Sequence, residues 1–357
     1  MKIYKKSREE LTYIDLFSGI GGFRLAMDRV SKDINIKSRC LGYSEIDKYA
    51  LTTYRNNFDT NNEIDIGDIT GLNSESQIKK VLPNFDILFA GFPCQPFSLM
   101  GLKKGFEDTR GTLFFHIAKI LAVKNPSFFI LENVRGLQTH DNGKTLQRII
   151  SILSEELNYS VKVKLMNSVN FGVPQIRRRL YILGSKNKTT LSELGLEDVS
   201  WGRKPKYQST WHLLEKEVDE KYYLSEKILR TILAHGSGNY YSKSEINRLI
   251  ARPLTASMHK MHRANQDNYY SNDFIQGVFK NGMVSSLPHA KGKKSVRKIT
   301  PLEAFRLQGF DDCFVEQAKQ GGVSDTQLYR QAGNAITVNV AQSILENLFR
   351  KTRFLHT

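Results

Sequence analysis

The sequence is poor in cysteine, in long apolar runs and in negative charge, and each shortage excludes a class of protein. Its three cysteines, Cys40, Cys94 and Cys313, are widely spaced and form no CxxC pair, so neither a disulfide framework nor a zinc site is expected. No apolar run approaches the roughly 18 residues needed to cross a bilayer. The amino terminus turns polar where a secretory signal needs its apolar core. We therefore expect a reduced, cytoplasmic protein.

The shortage of acidic residues leaves a strongly basic chain. Lys and Arg number 52 against 36 Asp and Glu, for a formal net charge of +16. Residues 186–300 alone hold 20 Lys and Arg and 11 Asp and Glu. Such an excess favours a polyanionic partner, because basic surfaces displace counterions from phosphates. A basic face that is merely solvated is the alternative interpretation of net charge alone.

Alternating strands and helices fill the first half of the chain. Short apolar segments predict strands at 13–17, 38–44, 85–91, 127–132, 159–165 and 180–183. Amphipathic segments predict helices at 47–58, 112–124 and 144–157. This alternation is typical of an α/β protein with a doubly wound, mostly parallel sheet.

The pattern breaks near residue 186 and resumes near residue 300. In between, Gly, Ser, Asn, Tyr and basic residues dominate. Helical order returns at 300–308, where Thr300 suits an N-cap and Glu303 the capping-box position, and a last helix is predicted over 336–351. We expect a main domain over 1–185, a smaller irregular domain over 186–297, and a segment over 298–357 that returns to the first.

Three predicted strand ends in the first half present glycine or acidic residues. The loop of Gly19, Gly21 and Gly22 follows a strand and opens a helix, so that a ligand can approach the backbone closely. Glu45 ends the next strand, 26 residues past Gly19, near the spacing at which a carboxylate binds the ribose of an adenosine cofactor. Asp68 ends a third segment. These features predict a nucleoside pocket, which nicotinamide and flavin enzymes also have.

The segment 91–98, Gly-Phe-Pro-Cys-Gln-Pro-Phe-Ser, helps to distinguish among the enzyme classes that have such a nucleoside pocket. Cys94 follows the carboxyl end of a buried strand, where open α/β sheets bind ligands. An isolated cysteine is more often buried filler than a nucleophile, but the flanking prolines fix the direction of this thiol. Glu132 ends the next strand and would face Cys94, although alone it would suit a helix cap. Alternation along the last strand sends Arg177 and Arg179 to one face.

These segments resemble the DNA cytosine-5 methyltransferases of bacterial and phage restriction-modification systems. The matching segments follow the family's order: 15–24, Glu45, 67–69, 91–98, 105–115, 132–134, 170–184, 299–312 and 331–344. The resemblance implies a Rossmann-like catalytic and cofactor-binding domain over 1–185 and a target-recognition domain over 186–297. The segment 298–357 would complete the catalytic domain.

The resemblance also implies a covalent mechanism. Cytosine C5 is a poor nucleophile until a thiolate adds at C6, so Cys94 is expected to attack C6. Glu132 would hydrogen-bond the base at N3 and N4, while Arg177 and Arg179 would hold the base O2 and the neighbouring loop. A nicotinamide oxidoreductase has no use for such a cysteine segment. The expected catalytic residues are Cys94, Glu132, Arg177 and Arg179.

The implied cofactor is S-adenosyl-L-methionine, with S-adenosyl-L-homocysteine as the product. Phe17 would stack on the adenine, Glu45 would bind the ribose, and Asp68 and Ile69 would meet the adenine edge. Residues just before the last helix would close the methionine side. The whole expected cofactor set is Phe17, Gly19, Gly21, Gly22, Glu45, Asp68, Ile69, Phe92, Pro93, Leu113, Asn334 and Ala335.

The implied substrate is double-stranded DNA, whose target cytosine must leave the helix to be reached. Met100 is a candidate to fill the vacated space, and Thr255 lies in a turn that supports the flipped nucleotide's backbone in relatives. Lys260 and Arg263 are suited to base edges. The residues expected to contact DNA are Gln95, Ser98, Met100, Arg110, Arg252, Thr255, Lys260 and Arg263.

Two other functions remain as alternatives. A eukaryotic branch with the same motifs methylates tRNA, but its middle domain is shorter than the basic one here. A silent DNA-binding regulator would have no chemical need for Cys94 and Glu132.

The expected partners beyond DNA are few. A cognate restriction endonuclease could act on the same site without forming a stable complex, and we expect a monomer in a bacterial or phage-infected cytoplasm. No membrane contact is expected. No metal is expected either, because His259 and His262 have no third ligand in a recognisable pattern.

Overall fold

The computed structural model describes residues 10–93, 113–233, 236–237, 240–241, 245–260, 262–263, 265–277 and 295–352. The chain forms two compact units. The first unit comprises residues 1–166, 178–200 and 340–357, and the second unit comprises residues 167–177 and 201–339. The boundaries at 185 and 297 thus differ from those of the compact units. The functional division that they express stays a prediction.

A seven-stranded sheet organises the first unit. Its strands are β1 (Leu11–Leu16), β2 (Ser38–Ser44), β3 (Ile64–Asp65), β4 (Ile87–Gly91), β5 (Phe128–Val134), β6 (Ser160–Asn167) and β7 (Arg178–Ser185). Their spatial order is β3-β2-β1-β4-β5-β7-β6. The pairs β2–β3, β1–β2, β1–β4 and β4–β5 are parallel, whereas β5–β7 is antiparallel. The expected doubly wound, mostly parallel α/β class is confirmed.

Helices alternate with these strands and then dominate the rest of the chain. They are α1 (Gly22–Ile34), α2 (Lys48–Asn57), α3 (Glu75–Val81), α4 (Leu113–Lys124), α5 (Lys144–Ser151), α6 (Lys188–Leu194), α7 (Thr210–Leu213), α8 (Glu226–Leu233), α9 (Asn272–Ile275), α10 (Pro301–Arg306), α11 (Asp312–Gln320), α12 (Asp325–Asn334) and α13 (Val338–Lys351). Local signals set several starts. Asp47 caps α2 by accepting from the backbone N–H groups of Tyr49 and Ala50, which leaves Glu45 outside the helix.

The central strands are buried on both faces of the sheet. On one face Leu88, Leu131 and Ile182 pack with apolar side chains of α3, α4 and α5. On the other face Phe23 of α1 stacks on Phe89, with ring centroids 5.1 Å apart. Because both faces are covered, polar and reactive groups can reach a ligand only where the strands end.

Three element ends differ from the sequence-based expectations. The third segment ends as a strand at Asp65, and Asp68 instead begins a 3₁₀ turn by accepting from the backbone N–H of Thr70. The helix predicted over 144–157 is α-helical only to Ser151 and continues as a π-helical turn. The last helix begins at Val338, whose N–H donates to the carbonyl of Gln308 instead of to a helical partner.

The second unit contains short strands and a small core of its own. Strands β8 (Gly236–Ser237) and β9 (Tyr240–Tyr241) pair antiparallel, as do β10 (Tyr269–Ser271) and β11 (Val296–Lys298). Its apolar cluster includes Leu224, Ile232, Tyr269 and Val296. Pairing of β11 with β10 ties the start of the predicted C-terminal segment to this unit.

A fully buried ion pair and its hydrogen-bond network lie within the second unit. Arg297 donates from both terminal nitrogens to the carboxylate of Glu303, at 2.8 and 2.6 Å. The same carboxylate accepts from the backbone N–H of Thr300 as half of the predicted capping box of α10, which is confirmed. The backbone of Glu215 contributes both an acceptor to Arg297 and a donor to Glu303. Every member of this network thus depends on the others for its hydrogen bonds.

We expect Arg297→Met to destabilise the second unit by about 3–5 kcal/mol, because it leaves the Glu303 carboxylate buried without its counter-ion. The double variant Arg297→Met/Glu303→Leu should recover much of that loss, since it buries no charge. Urea unfolding can be followed by tryptophan fluorescence, because both tryptophans, Trp201 and Trp211, lie in the second unit. Equal midpoints for the single and double variants would contradict the expectation.

Candidate active site

The carboxyl ends of four adjacent strands frame the candidate site in the first unit. From β1 the chain proceeds to β2 on one side, and later to β4 and β5 on the other. Open α/β sheets bind ligands at such a point, where the strand order reverses. The residues that follow β1, β2, β4 and β5 therefore form the candidate site.

The glycine loop after β1 has left-handed backbone at alternate positions. Phe17 and Gly19 each have φ +54°, and Gly21 has φ +85°. A Cβ added at Gly21 would lie 2.4 Å from the ring of Phe58, so this glycine is needed for packing. A Cβ added at Gly19 would meet nothing within 4 Å, so Gly19 borders open space. Gly22 is the first residue of α1 and is buried.

Glu45 is held in place by main-chain donors after β2. Its Oε2 accepts from the N–H of Gly19 at 2.9 Å, and its Oε1 accepts from the N–H groups of Ile46 and Asp47 at 2.8 Å each. The carboxylate therefore links the glycine loop to the end of β2. Beside it the Ile46 side chain is 76 % exposed. Ile46 is not among the residues predicted from the sequence, because no local pattern shows that an apolar residue at this position stays uncovered.

Two buried polar side chains, one near the end of β1 and one in the glycine loop, have no hydrogen-bond partner among the residues that the structure describes. They are the Asp15 carboxyl, which is 1 % exposed, and the Ser18 hydroxyl. Burial raises the pKa of Asp15 well above its ordinary value, with Arg24 opposing the shift. Buried polar groups in native proteins are usually satisfied, so both groups are available to a polar partner at this loop. Sequence patterns did not identify either residue.

The predicted adenine-edge residues are oriented differently from each other. Asp68 is exposed, and its hydrogen bonds from Thr70 lower the pKa of its carboxyl. The Ile69 side chain is buried in the core, so any contact from Ile69 to a ligand would come from its main chain. The Phe17 ring is only partly buried and packs beside the same core.

The end of β4 is fixed by the end of β5. The Nδ2 of Asn133 donates to the carbonyl of Phe92 at 2.9 Å. The Phe92 ring is buried against Phe114, with centroids 5.9 Å apart, whereas Pro93 is exposed. Leu113 begins α4 and packs partly buried on the core. The expected residues Cys94, Gln95, Ser98, Met100 and Arg110 lie outside the described residues.

Glu132 and Arg179 meet across the antiparallel pair of β5 and β7. Val134 is the register partner of Arg179, and Glu132 is the partner of Tyr181, so Glu132 and Arg179 are diagonal neighbours on one face. A long side chain spans that separation, and the Nε of Arg179 lies 3.1 Å from Oε1 of Glu132. The sequence-predicted acid and one of its arginines are therefore in contact.

Arg177 has a different environment from Arg179. It is 2 % exposed, and its terminal nitrogens donate to the carbonyls of Leu254, Gly333 and Ala335 at 3.0, 3.0 and 2.8 Å. These three acceptors all belong to the second unit, as Arg177 does. The geometry thus makes Arg177 a residue that positions main chain. Its expected role at the base O2 has no support in these contacts.

The other expected residues of the second unit also differ in availability. The Arg252 guanidinium donates to the carbonyl of Glu245 at 2.8 Å and is largely buried, and burial lowers its pKa. Lys260 is exposed. Asn334 ends α12 and is exposed, and Ala335 follows it with its carbonyl bound by Arg177. The cofactor role expected of the last two stays a prediction.

Within the described part of the chain, no cluster of three or more His, Cys, Asp or Glu side chains could hold a metal ion. Among the same residues, no helix has the length and apolar character needed to span a membrane.

Comparison with known proteins extends these observations. The family model described as C-5 cytosine-specific DNA methylase matches residues 11–350. The type II methyltransferase M.NlaX of Neisseria lactamica is 40 % identical over 338 residues, covering 94 % of this chain and 95 % of the relative. The type II methyltransferase M1.ScrFI of Lactococcus lactis subsp. cremoris is 39 % identical, covering 94 % and 77 %.

The fold is shared with solved structures of low sequence identity. The structure of the Entamoeba histolytica methyltransferase EhMeth is similar with a TM-score of 0.68 at 20 % identity, covering 96 % of this chain and 99 % of that one. With the family match over almost the whole chain, the chain belongs to the C-5 cytosine-specific DNA methylase family and is a DNA (cytosine-5)-methyltransferase.

Proposed function

We propose that this methyltransferase moves the methyl group of S-adenosyl-L-methionine to C5 of a flipped-out cytosine in double-stranded DNA. The observation that carries the proposal is the contact between Glu132 and Arg179 at the end of β5. Strand β5 pairs with β4, and Cys94 follows the last residue of β4 by three positions. A carboxylate that is oriented by an arginine, on the strand next to the one that leads to the proposed cysteine nucleophile, suits methylation of cytosine.

In this proposal Cys94 activates the ring. Its thiolate forms a bond to C6 as the C5–C6 double bond opens, and the displaced electron pair makes C5 the nucleophile that takes up the methyl group. A base then removes the C5 proton. The electrons of that C–H bond restore the C5–C6 double bond as the sulfur leaves C6, so the thiolate is regenerated and the ring recovers its aromatic form.

Glu132 and Arg179 would recognise the base and lower the energy of the adduct. The Glu132 carboxyl would hydrogen-bond N3 and N4 of cytosine, and a proton held at N3 would draw electron density from the ring as the thiolate adds. Arg179 fixes the orientation of that carboxyl from the neighbouring strand and would also donate to the base O2. Arg177 would contribute indirectly, by holding the turn at Leu254.

The residues around the glycine loop fit the proposed cofactor. The open space at Gly19, the fixed carboxylate of Glu45 and the exposed apolar surface of Ile46 suit a glycosyl and aromatic group. The unsatisfied groups of Asp15 and Ser18 suit its polar end. S-Adenosyl-L-methionine supplies an electrophilic methyl when bound. Glu45 would then bind the ribose hydroxyls, and Asp68 the adenine edge.

We also propose that the enzyme serves a restriction-modification system, acting as a monomer in a bacterial or phage-infected cytoplasm. Support comes from the relatives, which are named as type II methyltransferases. A cognate endonuclease would share the DNA site without binding the methyltransferase. The net charge of +16 supports a polyanionic substrate.

Gly19→Ala should weaken binding of S-adenosyl-L-homocysteine at least about ten-fold, because the new methyl enters the proposed ligand space and the left-handed backbone is strained by roughly 1–2 kcal/mol. Gly322→Ala is the matched control. Gly322 also has a positive φ, +81°, and open space around it, so strain should be similar and affinity unchanged. Calorimetric titration measures both, and equal affinities in the two variants would remove the cofactor from this loop.

Incubation with S-adenosyl-L-methionine and unmethylated plasmid DNA should protect cytosine within one short recurring sequence. Bisulfite sequencing of every cytosine reads out both the activity and the recognition sequence. The Cys94→Ala protein is the control and should protect none. Complete absence of protected cytosine with wild-type protein that binds the cofactor would favour an RNA substrate or a silent DNA binder.

A duplex with 5-fluorocytosine at the target should trap a covalent complex, because fluorine cannot leave C5 as a proton does. The adduct should survive denaturing electrophoresis with the wild-type enzyme and be missing with Cys94→Ala, which should still bind DNA and cofactor. An adduct of undiminished yield in Cys94→Ala would show that another residue is the nucleophile.

A further inference from the structure

The turn that contains Thr255 is held from several directions within the second unit. The N–H of Leu254 donates to Oε1 of Gln175, and its carbonyl accepts from Arg177, each at 3.0 Å. A Cβ added at Gly333 would lie 2.3 Å from the backbone of the turn. The main chain at 254–256 is therefore fixed by close packing and by two buried side chains.

The Thr255 side chain is held separately from its backbone. The Nη2 of Arg263 lies 2.8 Å from Oγ1 of Thr255. A guanidinium has only donors, so the hydroxyl oxygen must be the acceptor in this bond. The hydroxyl hydrogen consequently cannot point toward Arg263 and is available to another acceptor.

Arg263 is itself locked by Asp267. One carboxylate oxygen of Asp267 accepts from the backbone N–H of Arg263 at 2.9 Å, and the other accepts from Nη2 at 3.3 Å. The two hydrogens of Nη2 are thus divided between Asp267 and Thr255. Tyr269 also donates to Asp267, at 3.4 Å. Nη2 of Arg263 is thus engaged within this cluster, whereas an arginine that reads a base edge extends its terminal nitrogens toward the DNA.

We propose that Arg263 is a positioning residue that, locked by Asp267, orients the Thr255 hydroxyl so that its hydrogen is donated to a phosphate oxygen beside the flipped nucleotide. This inference rests on the proposed function. It replaces the expected role of Arg263 at a base edge with an indirect one. The positive charge behind the hydroxyl polarises the O–H bond and makes it a better donor to an anion.

Steady-state methylation by Arg263→Met, Thr255→Val and the double variant tests the coupling. On plasmid DNA each single variant should lose about ten-fold in kcat/KM, as expected for one hydrogen bond to a charged group. The double variant should lose no more than about two-fold beyond Thr255→Val, because Arg263 acts through that hydroxyl. Thr255→Ser, which keeps the hydroxyl, should restore most of the activity.

A base-flipping measurement separates positioning from loss of structure. A duplex carrying 2-aminopurine at the target position brightens when that base unstacks, and the Arg263→Met protein should show a reduced signal at saturating DNA. Its affinity for S-adenosyl-L-homocysteine should stay unchanged. Its fluorescence-monitored urea midpoint should fall, because Asp267 loses its counter-ion, but the protein should stay folded under the assay conditions. Arg230→Met is the matched control, because Arg230 is 83 % exposed in α8 and its removal costs the same charge.

Additive losses in the double variant would overturn the inference, as would a relaxed recognition sequence in Arg263→Met, since both indicate direct base reading. If Arg263→Met fails to fold, Asp267→Asn replaces it. Asp267→Asn should reduce base flipping when Thr255 is present and should have no further effect when it is combined with Thr255→Val. A reduction in both backgrounds would overturn the inference. Failure of the wild-type enzyme to methylate any DNA would instead overturn the proposed function.

Discussion

The antiparallel pairing of β7 with β5 is the constraint on which the catalytic half of the site depends. In a parallel pair the carboxyl ends of both strands lie together, but here the amino end of β7 lies beside the carboxyl end of β5. Arg179 is near the start of β7 and can therefore reach Glu132 near the end of β5. Asn133, the next residue along β5, fixes the carbonyl of Phe92 after β4. One reversed strand thus brings the acid and its arginine together among the strand ends that frame the candidate site.

The helix that follows the glycine loop, α1, is held by hydrogen bonds from its Arg24 side chain. Arg24 of α1 donates to Glu63, to the hydroxyl of Tyr54 and to the carbonyl of Asp59. These bonds link the helix that the loop opens to α2 and to the chain that follows it. The network also places a buried cation near Asp15 and opposes the effect of burial on that carboxyl's pKa. A structural cation therefore contributes to the electrostatic environment of the proposed cofactor site.

Sequence patterns predicted those features of the molecule that depend on residues close together along the chain. The parallel sheet follows from short apolar runs, and the α10 capping box from Thr300 and Glu303. Exposure of Ile46 and the unsatisfied carboxyl of Asp15 could not be predicted this way. Both are set by what other segments leave uncovered or unpaired, and a sequence pattern records only the types of residue that could pair.

Arg177 and Arg179, which belong to three consecutive arginines, show that a sequence pattern does not reveal which partner each side chain binds. Strand alternation treats them as equivalent, yet Arg179 binds a carboxylate 47 positions away, whereas Arg177 binds carbonyls 77, 156 and 158 positions away. The difference arises because β7 begins at Arg178, so Arg177 belongs to the segment before the strand. Gln175 accepts from the main-chain N–H of Leu254, and Arg177 donates to the carbonyl of the same residue. The motif that leads into β7 therefore also fixes the turn that carries Thr255, so a substitution at Arg177 is expected to disturb that turn.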